Sequence, residues 1–142
     1  MGFMGSSGTN KRQRKILVVG NDPDIVLSLR TMLTFTEHDV LTTHAAEVAI
    51  PLARTTHYNI GLALIDVGTA GLEPQVLAER LRSARPGIKT LFYSGLIDRG
   101  VIRLGIVDPA SGALRKDGVM AAIQEALGVR AAPNETPKTM TA

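Results

Sequence analysis

The sequence predicts an α/β domain, a five-stranded parallel sheet with helices packed on both faces. Three observations carry this reading. Short apolar runs alternate with helix-like stretches five times between residues 15 and 129. The first run, Ile16-Leu17-Val18-Val19, is continuous and rich in β-branched residues, as a strand buried on both faces must be. Asp66, Ser94 and Lys116 stand directly after the third, fourth and fifth apolar runs, where open parallel sheets collect their chemistry.

The elements follow in order. Asp22-Pro23 closes the first strand with an N-cap residue and then proline at the first helical position. Ile25, Leu29, Met32 and Leu33 give the following helix its apolar stripe, to about Phe35. Val40 to Thr43 suits a second strand. Ala45 to Thr55 suits a second helix, with Pro51 inside it as a point of breakage or kinking. Ile60 to Ile65 forms the third strand and ends in Asp66. Residues 68–71 make a loop, Pro74 opens a helix carrying Leu77, Ala78 and Leu81, and Pro86-Gly87 stops it. Ile88 to Tyr93 is the fourth strand. Ile97, Val101 and Leu104 then recur at helical spacing, predicting a weaker helix despite Gly100. Ala113-Leu114-Arg115 is the short fifth strand, and Gly118 to Leu127 the closing helix.

Composition excludes several classes. The chain has 142 residues, room for one such domain, and a formal net charge of +3. That excess sits in the ends. Residues 1–14 carry three basic side chains and no acid, whereas residues 15–128 carry 11 basic and 12 acidic ones. A neutral body gives no footprint for nucleic acid. Cysteine is absent, which removes disulfides and thiolate metal sites. Apolar runs fall far short of the ~18 residues of a membrane span, and no secretory signal is present. Residues 1–14 read as a disordered basic arm and residues 130–142 as a flexible tail. Met1-Gly2 with Ser6 formally fits an N-myristoylation pattern, but no membrane association is expected. The expected location is the cytoplasm.

A carboxylate, a hydroxyl and an ammonium converging on one sheet edge supply a nucleophile, a donor and a cation for a phosphoryl group. Singly, each has a plainer role as a cap, a backbone partner or a solvated charge. Together and in this order they resemble the receiver domain of two-component response regulators, a flavodoxin-like (βα)5 fold. The resemblance covers about Lys15 to Val129. ILVVGNDPDI (16–25) is similar to that family's opening segment, ALIDVGTAGLEPQVLAERLR (63–82) to its phosphorylation segment, with Gly71 as the loop glycine, and TLFYSG (90–95) to its fourth strand.

The resemblance implies a stand-alone receiver that is not an enzyme in its own right. Asp66 would accept a phosphoryl group from the phosphohistidine of a histidine kinase or phosphotransfer protein. Ser94 would contact the phosphoryl oxygen and Lys116 would pair with the charge. Mg²⁺ would be held by Asp66 and the Gly68 backbone carbonyl. A downstream protein partner would dock on the face of the fourth helix, fifth strand and fifth helix, and a homodimer through that face stays open.

Departures from the pattern weaken these expectations. The acidic pair that normally follows the first strand is Gly20-Asn21, leaving Asn21 and the helix-capping Asp22 as poor substitutes for the metal ligands. Ala113 stands at the aromatic switch position, and Thr69-Ala70 and Lys116-Asp117 replace the usual Met-Pro and Lys-Pro. The expectation is a standing Asp66–Lys116 ion pair with weak or absent Mg²⁺ binding. The alternative is a degenerate receiver that binds partners without phosphorylation. A phosphatase using an aspartyl nucleophile would want a second acid where Gly68 stands. His38, His44 and His57 lack the spacing of a metal helix, and no Gly-rich dinucleotide fingerprint follows the first strand.

Overall fold

The structure is a computed structural model and describes residues 14–55, 58–68 and 72–128. Strands β1 (Lys15–Val19), β2 (Val40–Thr43), β3 (Ile60–Asp66), β4 (Lys89–Asp98) and β5 (Val101–Val107) form one sheet in the order β2-β1-β3-β4-β5. Helices α1 (Pro23–Phe35), α2 (Ala46–Arg54), α3 (Pro74–Ala84) and α4 (Val119–Leu127) cover it. The doubly wound α/β fold class is as the sequence predicts. The expected Gly71 loop residue, the Thr69-Ala70 dipeptide, His57, the myristoylation pattern and the C-terminal tail lie outside the described residues.

The strand sequence sets the layers. In β1, Ile16 and Val18 face one way, where they join Leu62, Leu64, Tyr93 and Ile106 under α1 and α4. Leu17 and Val19 face the other way, with Ala63, Ile65 and Phe92 under α2 and α3. β1 and β3 are thus sealed on both sides, which explains their unbroken apolar runs. Ala46, Ala49 and Ala53 are fully buried on α2, so that helix lies close to the sheet. α2 continues through Pro51; Thr55 closes it, its N–H and hydroxyl both donating to the Pro51 carbonyl. Arg14 Nη2 donates to the Leu127 carbonyl at 3.0 Å, at the C-terminus of α4.

One region departs from the expectation. Residues 97–104 are not a helix. β4 runs on to Asp98, turns through Arg99 and Gly100, and returns as β5, antiparallel to β4, with Asp98 paired to Val101 and Phe92 to Val107. Both turn residues have positive φ, 53° and 79°. That is the signature of a type I′ hairpin, whose twist matches the flanking strands. Ile97, Val101 and Ile102 fit strands as well as a helical stripe, and the turn decides between them. The expected fifth strand at 113–115 is reduced to a single antiparallel bridge, Leu114 to Val107. The sheet is therefore mostly parallel, with an antiparallel edge strand. The expected docking face of fourth helix, fifth strand and fifth helix is accordingly rebuilt, with a hairpin where that helix was expected.

The turn gives a test whose sign separates the two structures. Gly100→Ala should lower stability by about 1 kcal/mol in urea unfolding, since a Cβ opposes positive φ. In a helix the same change would raise stability by about 1 kcal/mol.

Candidate functional site

Strand order reverses between β1 and β3, so the crevice at their carboxyl ends is where a ligand would enter. Gly20 follows β1 and Asp66 ends β3. Asp66 is half-buried, and its Oδ1 accepts the Gly68 N–H at 2.9 Å, folding the carboxylate over the turn. Asp66 pairs in register with Tyr93 on β4, and the Val67 N–H donates to the Tyr93 carbonyl at 3.0 Å.

Asp22 caps α1. Its Oδ1 accepts from the N–H groups of Asp24 at 3.0 Å and Ile25 at 3.4 Å, so the carboxylate is committed to the helix terminus. Asn21 is exposed beside it. Ser94 lies one residue past the partner of Asp66 and pairs with Gly105 on β5. It lines a cavity of about 650 Å³ with Val67, Pro74, Phe92, Val107 and Leu114.

Lys116 is the residue the structure does not bring in. It is exposed, and among the described residues no ion pair joins it to Asp66. The expected standing pair is therefore corrected. β5 occupies the slot beside β4, and the 114–116 segment lies outside β5, one strand spacing of about 4.8 Å further from β3. Its neighbour Arg115 is held instead, by Asp117 at 2.7 Å and Glu125 at 3.1 Å. The Asp117 carboxyl is correspondingly lowered, first by that hydrogen bond. Ala113 is exposed in the loop before the bridge.

The residue that sequence reasoning missed is Tyr93. It is fully buried, and its hydroxyl donates to the Val19 carbonyl at 3.3 Å, at the end of β1. The phenol stands over Gly20: a Cβ built there would overlap Tyr93 Oη, with Val26 Cγ2 at 3.2 Å and Asp66 Cβ at 3.5 Å the next atoms met. Burial, then the charges of Asp66 and Asp22, push the phenol's pKa well above its ordinary value. The one signal in the sequence is a tyrosine closing the apolar run Leu91-Phe92-Tyr93, since a buried hydroxyl must find an acceptor.

No family model matches the chain, and no curated protein matches it. Solved structures do. A CheY-like response regulator receiver domain protein from Methanospirillum hungatei JF-1 is 26% identical, over 61% of this chain and 67% of that one, with a TM-score of 0.53. A receiver domain from Clostridium thermocellum is 18% identical, over 81% and 91% of the two chains, with a TM-score of 0.60. The anti-anti-sigma factor PhyR of Bartonella quintana, solved in complex with the anti-sigma factor NepR, is 16% identical over 89% of this chain and 53% of that one, with a TM-score of 0.57. The chain thus has the fold of response regulator receiver domains. Among its described residues no helix is long and apolar enough to cross a membrane.

Tyr93 makes the stability of the domain sensitive to alkali. A raised folded-state pKa means that the folded protein keeps a proton the unfolded chain loses above pH ~10. The stabilisation is complete below that pH and declines as pH rises further. Urea unfolding from about pH 9 to pH 11 should show stability falling more steeply in the wild type than in Tyr93→Phe. Equal slopes would place the phenol in water.

Proposed function

We propose that this chain is a receiver-fold signalling module that works through contacts with a protein partner and does not depend on a phosphoryl switch at Asp66. The observation that carries this reading is the absence of any cation paired with Asp66 among the described residues, Lys116 being held beyond β5. Phosphoryl transfer places added negative charge on the acceptor and needs that charge met as it develops. Asp66 accepts a backbone N–H from Gly68, and the other charge acting on the Tyr93 phenol beside it is a second acid, Asp22. That is a poor setting for a phosphate.

The surface supports an interaction role. The hairpin carries Leu96, Ile97 and Val101 into solvent, and Leu114 is exposed beside β5. PhyR, of like fold, was solved with a bound protein, NepR. A second reading keeps Asp66 as the acceptor, served by a histidine kinase or phosphotransfer protein, with Ser94 gripping the phosphoryl oxygen. Its support is the placement of Asp66 at the carboxyl end of β3, half-exposed at the switch-point crevice.

Incubation with acetyl phosphate and Mg²⁺, followed by intact-mass measurement, separates the two. The expected outcome is no mass gain at any Mg²⁺ concentration. Gain of one phosphoryl group, lost in Asp66→Asn, would establish the acceptor reading instead.

A further inference from the structure

The donors around Asp66 do not fit Mg²⁺. This hard cation wants six oxygens in near-octahedral geometry and leans on carboxylates. Gly20 offers no side chain, Asp22 is spent on the α1 terminus and Asn21 is a neutral amide at the surface. Among the described residues, no group of three His, Asp or Glu side chains could hold a metal ion. The structure also shows what stands in the room a carboxylate at position 20 would need.

We infer that Gly20 and Tyr93 are a complementary pair that plugs this crevice: the missing Cβ of Gly20 admits the phenol, and the phenol denies the crevice beside Asp66 to a divalent cation. Three facts carry this. Tyr93 Oη is the first atom that a Cβ at Gly20 would meet, and the overlap is severe. The ring cannot swing aside, because Tyr93 is fully buried between α1 and α4 and packed with Ile25, Ile106 and Ile123 in one cluster. Its hydroxyl is tethered to the Val19 carbonyl, one residue before Gly20. The backbone of Gly20 lies outside the left-handed region, so glycine is needed there for space and not for conformation.

The pair deepens the reading of a module without a phosphoryl switch and rests on it, but it is tested separately. Only the hydroxyl overlaps; the next atoms that a Cβ at position 20 would meet lie at 3.2 Å and beyond, and none of them belongs to the ring. Removing the oxygen alone should therefore open the space. Gly20→Ala should lower the thermal midpoint by about 5–10 °C in the wild type, and by much less in a Tyr93→Phe background. An equal loss in both backgrounds overturns the pair.

A second arm restores the carboxylate. Gly20→Asp combined with Tyr93→Phe should gain an Mg²⁺-dependent rise in midpoint of about 3 °C at millimolar MgCl₂, abolished by adding Asp66→Asn. The wild type should show none. An equal rise in the wild type, or no rise in the double variant, overturns the inference. A failed cycle sinks the pair and leaves the mass result standing. A phosphoryl gain on wild-type Asp66 sinks the functional reading and is seen by mass alone.

Discussion

The turn at Arg99 and Gly100 is the constraint on which the distinctive half of this molecule depends. Two successive residues at positive φ send β4 straight back on itself. A parallel neighbour to β4 would have needed a crossover of a dozen or more residues, and the chain spends none there. From that one reversal follow the antiparallel edge, the lack of a helix between β4 and β5, and the displacement of residues 114–116 to the far side of β5. Lys116 stands away from Asp66 through topology, although the order of Asp66, Ser94 and Lys116 along the sequence suggested that they converge.

The other half of the sheet obeys a different constraint, the need of a buried hydroxyl for an acceptor. Tyr93 brings a large ring into a core built mainly of Leu, Ile, Val and Ala, and its polar end must be satisfied at the rim. The Val19 carbonyl at the end of β1 supplies that partner, and glycine at position 20 supplies the room. A crevice that could have been lined with carboxylates is instead finished as core. Asp66 remains at its edge with a backbone hydrogen bond and no countercharge among the described residues.

Much of this was legible in the sequence, and the parts that were not share a cause. The unbroken run from Ile16 to Val19, the Asp22-Pro23 helix start and the Pro86-Gly87 stop are local signals, and the elements they mark are where they point. The hairpin was hidden because Ile97, Val101 and Leu104 satisfy a helical spacing while β-branched residues suit a strand equally, and Asp98-Arg99-Gly100 lacks the Asn-Gly dipeptide that marks a type I′ turn most strongly. The partnership of Tyr93 with the end of β1 joins residues 74 apart in the chain, and no local pattern encodes it. Spacing alone placed Asp66 at the end of β3 and Asp22 at the start of α1, whereas Ser94, expected just past the fourth strand, lies inside β4 because that strand runs on to Asp98. What each can do there depended on neighbours that only the folded sheet assembles.

The hairpin also changes how the chain can reach its fold. A parallel sheet is slow to assemble because every strand pairing must wait for a long loop to close, and that entropy is spent before the contacts reward it. β1 meets β3 only after the whole of α1, β2 and α2 has been folded back between them. β4 and β5 meet across two residues, and seven register pairs from Asp98–Val101 to Phe92–Val107 zip from that point. The edge of the sheet that carries the outlying strand is thus the part with the shortest conformational search. It offers β3 a preformed, twisted template to pair with, so the least receiver-like segment is the one from which the receiver-like sheet can grow.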